Sequence, residues 1–376
     1  MNLNLKLVTI SLFAWGFGEG MFLLFQPLYL RELGADPVLI GSILGGMGVA
    51  LALAQIPSGY LADRIGTRPL MWGSWLLASL AAWIMALAND LSMFTVGLLI
   101  YGLTGSILAP MNAYITSARG EWSAEKALSV TSAAFHFGMV LGPLLGGFLG
   151  QQFSLKFLYI IAAIFFVVSS TLVLFIKKVE IEPTLEHEPT SSIFHNKLFM
   201  RILPLSFAAL FFMFFAQPLT PVFLEEVHQL GLQEIGYLGA IGSIGNVVLA
   251  LSIGQLKAKT AYLISFPLVI IFGLLMAKFN HFVWFAVAYF FLGGYRLART
   301  MLLAMTRQFV KAKETGIAFG FMETTNGVAT ILAPPLSGLV YQYNPSLIFW
   351  IAIFGVLLSG IINIVFLPKS QTEVIA

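Results

Sequence analysis

The sequence predicts an all-α membrane protein, with twelve transmembrane helices in two pseudo-symmetric six-helix bundles. Three observations predict it: a composition no water-soluble core could absorb, apolar runs of spanning length, and a repeat relating the first half to the second. Of 376 residues, 59% are hydrophobic and only 10% charged, and mean hydropathy is +0.90. A soluble domain is about a quarter charged, and this excess in water would leave large exposed apolar patches. Lipid is therefore the surrounding solvent. The absence of cysteine excludes disulfides, thiolate metal sites and thiol nucleophiles. The N-terminus, Met1-Asn-Leu-Asn-Leu-Lys6, opens an apolar run reaching Leu30. That run is too long for a signal-peptide core and lacks an Ala-x-Ala cleavage site, so it reads as a retained first span.

A spanning helix needs roughly 20 predominantly apolar residues. Such runs lie at 7–30, 38–61, 69–88, 92–116, 128–150, 155–176, 202–224, 235–256, 261–278, 282–308, 314–340 and 346–367. Connections such as Ala88-Asn-Asp-Leu91 and Tyr343-Asn-Pro-Ser346 are short, which makes neighbouring helices antiparallel. One segment differs: 177–201 is polar, with Glu180, Glu182, Pro183, Glu186, Glu188 and Pro189. It reads as a linker between an N-terminal bundle, 1–176, and a C-terminal bundle, 202–376. Lys and Arg near span ends set orientation. With the N-terminus inside, the inner segments collect Lys6, Arg64, Arg68, Arg119, Lys177, Lys257, Arg307, Lys311, Lys313 and Lys369, among others. The outer loops keep only Arg31, Lys156 and Lys278. Both termini and the linker are thus expected in the cytoplasm. The net charge of +3 is a topological signal, and nucleic-acid binding is not needed to explain it.

The halves repeat. Gln26-Pro-Leu28 recurs 191 residues later as Gln217-Pro-Leu219, and the same offset aligns Gly102 with Gly293 and Pro143 with Pro334. In between, the offset drifts to 195, pairing Ile40-Gly41 with Ile235-Gly236 and Gly59 with Gly254. Parallel six-span repeats with substrate bound between them are a transporter architecture.

The stretch Gly59-Tyr-Leu-Ala-Asp63-Arg64-Ile-Gly66-Thr-Arg68 resembles the loop between the second and third spans of the major facilitator superfamily. Thr67 stands where that pattern expects an arginine. The resemblance implies a cytoplasmic latch formed by Gly59, Asp63, Arg64, Gly66 and Arg68 that is made and broken by rigid-body rocking. Its second-half counterpart, Gly254-Gln-Leu-Lys-Ala-Lys259, has lost the acid. In the fifth span, Gly138, Gly142, Pro143, Gly146 and Gly147 resemble the pattern marking drug–proton antiporters of that superfamily. Ser129 replaces an upstream glycine of the pattern. Tyr101 stands where such antiporters carry an arginine in the fourth span, which puts their usual coupling site in doubt. Glycines also simply let membrane helices approach closely.

Charges inside the spans are the remaining signal. Glu19 falls mid-span in the first helix, Arg296 and Arg299 in the tenth, Glu323 in the eleventh and His136 in the fifth. A charge at the bilayer centre costs at least about 2.5 kcal/mol, so the four full charges represent about 10 kcal/mol before pairing. Two acids and two arginines balance, and they are expected to converge. One reading is an ion-pair network fastening the halves together. The other is a cavity in which carboxylates exchange a proton for substrate. Desolvation favours the protonated form of Glu19, a nearby arginine favours the carboxylate, and occupancy could decide between them. Gln26, Asn112, Gln217, Tyr295 and Asn326 are further candidates for cavity hydrogen bonds.

The glycines at 236, 239, 242 and 245 lie in a span with no preceding strand, so they read as packing. No nucleotide-binding loop, metal-ligand spacing or nucleophile constellation is present, so neither an enzyme nor a cofactor is expected. The expected function is secondary active transport by alternating access, proton-coupled export of a small organic or amphipathic compound. The alternatives are uptake of an organic anion or sugar with protons, and a non-transporting receptor on the same fold. The expected partners are the lipid bilayer, a small-molecule substrate and protons, with no nucleic acid. The expected setting is a prokaryotic plasma membrane, with the chain acting as a monomer.

Overall fold

The computed structural model describes residues 2–179, 193–310 and 314–367, apart from the side chains of Ile56, Gly59, Asp63 and Phe194. Among the described residues there are helices and no strand. Helices α1 (Leu3–Leu23) and α2 (Gln26–Glu32) form one span bent by 46°. Pro27 in the first turn of α2 suits a helix start because proline needs no donor there. Helices α3 (Pro37–Ile65) and α4 (Thr67–Leu87) meet at Gly66, whose φ of +85° favours glycine. Asp90 caps α5 (Leu91–Thr104), accepting from the Met93 amide at 2.9 Å, and a 3-10 turn carries the chain into α6 (Leu108–Ser117). Ser123 and Ser154 cap α7 (Ala124–Gln152) and α8 (Leu155–Leu174).

The second half repeats these devices. Asn196 caps α9 (Lys197–Phe215), and a 3-10 turn at Gln217–Leu219 leads into α10 (Thr220–Glu226). Then follow α11 (Leu232–Ser252), α12 (Ala258–Lys278), α13 (Phe282–Phe291), α14 (Gly294–Thr306), α15 (Thr315–Tyr343) and α16 (Leu347–Phe366). Taken with their short breaks, these helices make twelve segments among the described residues, at the places expected. By length and composition nine are apolar enough to cross a membrane, and the bent α1–α2 pair makes ten. The other two are the charge-bearing ones. One is divided into α13 and α14, with both arginines on α14, and in α15 Glu323 sits among glycines and threonines.

Within the segment read as linker, 177–201, α9 begins at Lys197 under the Asn196 cap. Residues 180–192, with its acidic residues and prolines, lie outside the described residues, as do Lys311, Lys313 and Lys369.

By proximity the chain groups into two compact units. One holds Met1–Asp36, Gly46–Thr184 and Leu224–Ala240, and the other Pro37–Gly45, Leu185–Phe223 and Ile241–Ala376. The grouping follows the sequence halves except for the first turns of α3 and a stretch covering the end of α10 and the start of α11. Close backbone approach explains both exceptions. In the second unit, a Cβ on Gly41 would lie 2.1 Å from the Pro334 carbonyl oxygen of α15. In the first, a Cβ on Gly236 of α11 would lie 2.4 Å from the Pro143 carbonyl oxygen of α7.

Each unit has a core of rings and buried hydroxyls. In the first, the Ser11 and Ser169 hydroxyls lie 2.8 Å apart and the Trp75 indole donates to Ser11 at 2.9 Å, while Ser79 and Ser170 pair at 2.7 Å. In the second, the Tyr262 hydroxyl donates to Asn363 at 3.0 Å. Such bonds satisfy polar groups that lipid cannot.

Candidate functional site

In the first unit the intramembrane acid is held by its own helix and by a ring. The Trp15 indole N–H, one turn before Glu19 on α1, donates to the Glu19 carboxylate at 3.1 Å. The Tyr101 hydroxyl of α5 interacts with both the Glu19 carboxylate and the Trp15 indole. Trp15 packs edge-on against Trp75 (4.7 Å between centroids) and Phe166 (5.1 Å), and Tyr101 edge-on against Phe22 (5.3 Å) and Phe166 (5.7 Å). Glu19 is half-buried at the polar edge of this box.

Gln26, His136 and Asn112 belong to the same unit. Gln26 is buried with its amide 3.9 Å from the Met47 sulfur. His136 is half-buried with its ring 5.3 Å from Phe135, and Asn112 is exposed.

In the second unit, Arg299 of α14 and Glu323 of α15 form an ion pair at 2.5 Å. Their side chains are 44% and 33% exposed, so the pair borders an open space. The glycines flanking Glu323 point the same way: at Gly320 and Gly327 an added Cβ would meet nothing within 4 Å. Arg296, Arg299 and Thr300 are exposed on α14, as is Arg307 just past its end. Behind this face the Tyr295 hydroxyl donates to Asn326 at 2.9 Å, buried, bracing α14 against α15. Gln217 donates back to the Met213 carbonyl at 2.8 Å and so serves the bend before α10.

Of the four charges expected to converge, the structure pairs Arg299 with Glu323 inside the second unit, while Glu19 belongs to the first. This ion pair therefore ties two helices of one unit.

The latch residues are described in part. The Arg64 guanidinium lies 4.5 Å over the Tyr60 ring, and that of Arg68 4.1 Å over the Trp72 ring. The side chains of Gly59 and Asp63 lie outside the described residues. The fifth-span glycines face backbone. A Cβ on Gly138, Gly142 or Gly146 of α7 would come within 2.5–2.6 Å of α1 backbone atoms, and one on Gly147 within 2.7 Å of the Leu232 carbonyl oxygen of α11. Pro143 lies within the same helix.

Sequence reasoning missed a third ionic feature. Arg31 at the end of α2 pairs with Glu225 of α10 at 2.6 Å and with Glu226 at 3.6 Å, within the first unit. Arg31 and Glu225 stand 194 residues apart, in the stretch over which the repeat offset drifts from 191 to 195. In the adjoining loop, burial pulls the His228 imidazole below its ordinary value, so at neutral pH it adds no charge to this pair.

Twelve helical segments among the described residues, a twofold internal repeat and acids within the spans define a class, the polytopic helical membrane proteins built from two repeated halves. The family model of the Major Facilitator Superfamily matches residues 8–297 and again 255–375, and the chain belongs to that superfamily. It is thus an integral, multi-pass membrane protein. The tetracycline resistance protein, class E, of Escherichia coli is 31% identical over 158 residues, 40% of this chain and 38% of that protein. The quinolone resistance protein NorA of Staphylococcus aureus is 27% identical over 156 residues, 40% of this chain and 39% of that one. The matches to these two relatives span about two fifths of their length. Among solved structures, the nucleoside transporter NupG superposes with a TM-score of 0.81 at 16% identity, covering 97% of this chain and 98% of that one. The human organic anion transporter MFSD10 gives 0.67 at 15% identity, covering 96% and 98%. At such identities the likeness concerns the fold.

Proposed function

We propose that this protein is a secondary active transporter that exports a small organic or amphipathic compound in exchange for protons, by alternating access. The observation that carries the reading is Glu19, a carboxyl in the middle of a membrane helix held by the Trp15 N–H and the Tyr101 hydroxyl. An acid kept at such cost in a span is a functional group by default, and a carboxyl at that depth can take up and give back a proton. The drug-resistance names of the relatives support export. One proton is worth about 2.3 kcal/mol per 100 mV and about 1.4 per pH unit. Together these sustain a gradient of roughly a few hundred fold for a neutral compound exchanged one for one. The bias of Lys and Arg to the inner segments supports both termini lying in the cytoplasm, and the bacterial sources of the relatives support a prokaryotic plasma membrane. The working unit is a single chain.

A second reading rests on the open face of α14 and α15. Arg296 and Arg299 are both exposed there, and guanidinium groups suit an anionic compound taken up with a proton.

Purified protein in liposomes with an internal pH dye separates the two readings. A proton gradient is imposed and panels of lipophilic cations, organic anions and sugars are added, with Glu19→Gln alongside. Proton movement opposite to the compound and abolished in Glu19→Gln is the expected result. Movement in the same direction and with anions alone establishes uptake instead. Binding without flux makes the protein a receptor.

A further inference from the structure

We infer that the Arg299–Glu323 pair is a binding site for a small zwitterion, a compound that carries both a carboxylate and a protonated amine. Each end of the compound takes one partner of the pair. The inference rests on the reading of this protein as a transporter of a small organic compound, and it names the charge type of that compound.

Exposure separates two kinds of helix face in the second unit. On α16 the exposed residues include Phe354, Leu357, Leu358, Ile361, Ile364 and Val365, a face suited to lipid. On α14 they are Arg296, Arg299, Thr300 and Ala304, while Leu297, Met301, Leu302 and Met305 are buried. Charges within a span turn to a bundle interior or to water, so the exposed stripe of α14 borders water. Glu323 joins that stripe from α15, its carboxylate 2.5 Å from the Arg299 guanidinium. There is room on both sides of it. At Gly320 and Gly327, one turn before and one turn after Glu323, an added Cβ would meet nothing within 4 Å. The stretch of helix between these glycines is about 10 Å long, the length of a small organic molecule.

The pair is weak as a fastening. With side chains 44% and 33% exposed, its attraction is screened by water and contributes little to stability. Nor do the helices depend on it. Behind it the buried Tyr295 hydroxyl donates to Asn326 at 2.9 Å, and these two residues stand one turn from Arg299 and Glu323 along their helices. Opening the pair therefore takes side-chain rotation and leaves α14 and α15 in place. Charge balance then selects the ligand. An anion that takes Arg299 leaves Glu323 without its guanidinium, and a cation that takes Glu323 leaves Arg299 without its carboxylate. A zwitterion exchanges one ion pair for two: the guanidinium forks onto its carboxylate, and Glu323 accepts from its ammonium. The net charge of the site is the same before and after, so no uncompensated charge is carried in the span.

Calorimetric binding to the purified protein in lipid nanodiscs tests this with matched trios of probes. Each trio is a zwitterion, its methyl ester, which keeps only the positive charge, and its N-acetyl form, which keeps only the negative one. The parents are L-phenylalanine, para-aminomethylbenzoate and ε-aminohexanoate, which differ in the spacing of their charges. In the wild type at least one parent is expected to bind about tenfold tighter than both of its derivatives. Glu323→Gln is expected to shift the preference to the N-acetyl form, and Arg299→Gln to the methyl ester. A purely structural pair produces no such reversal. Equal binding within every trio, preference for the N-acetyl forms in the wild type, or no binding of any parent overturns the inference. Should neither charge variant fold, Gly320→Leu fills the space beside the pair and leaves both charges in place. It is expected to weaken binding of the preferred parent, and an unchanged affinity there also overturns the inference. The transporter reading is judged separately in the liposome assay. Proton movement driven only by compounds that are not zwitterions leaves that reading standing while the inference falls, and flux of no compound at all removes both.

Discussion

Replacing Gly142 and Gly320 by alanine, one at a time, is expected to change stability in opposite directions. At Gly142 the added Cβ would lie 2.6 Å from the Phe17 carbonyl oxygen and 2.8 Å from the Gly20 Cα of α1. Both contacts are with backbone, so no side-chain rotation relieves them and the two helices must part by roughly 1 Å. Gly138 and Gly146 make the same close approach a turn away on either side, so the whole α1–α7 seam loosens. Overpacking of this kind costs about 1–3 kcal/mol, partly offset by the roughly 0.5–1 kcal/mol that alanine gains over glycine inside a helix. A net loss of about 1–2 kcal/mol is expected. At Gly320 nothing lies within 4 Å, so only the helix gain remains. Unfolding of each variant in detergent, followed by tryptophan fluorescence against denaturant, reads both effects. A Gly142→Ala protein as stable as the wild type, or a Gly320→Ala protein as damaged as Gly142→Ala, refutes the reading of the α7 glycines as a helix-packing seam.

Further outcomes follow from the ionic features. Arg299→Ala and Glu323→Ala in a double-mutant cycle should show a coupling of about 1 kcal/mol or less, because both side chains are a third or more exposed; a much larger coupling places the pair in a drier setting than its geometry implies. Exchanging charges at Arg31 and Glu225, as Arg31→Glu with Glu225→Arg, should restore stability lost in either single variant, and persistent loss in the double variant refutes a simple pairing. Glu19→Gln should fold normally while losing proton-coupled flux, and flux that persists with its proton removes Glu19 from the coupling step.

Much of the architecture was legible because lipid imposes a one-dimensional rule: a span needs a minimum apolar length, and length is visible in the chain. The cap residues that begin four of those helices, Asp90, Ser123, Ser154 and Asn196, are equally local. The break between α13 and α14 was not legible. Leu292 and Gly293 sit in an unbroken apolar run, and their interruption follows from the tight approach of Gly294 to α12, where a Cβ would lie 3.0 Å from that of Leu268.

The site divides along the same line. Within one helix the phase is computable, so Trp15 and Glu19, four residues apart, could have been recognised as neighbours on one face. Partners on different helices could not. Each buried charge announces its cost in the sequence, yet cost says only that some partner is needed, and the choice is made by tertiary packing. Glu323 and Glu19 look alike as isolated acids within spans, and the fold sets a guanidinium beside the first and an indole N–H beside the second. Arg31 was readable only as an exception to the inner bias of positive charge. Its partner lies 194 residues further on, a separation that charge bias along the chain cannot point to, so the bond became visible only once the helices were packed.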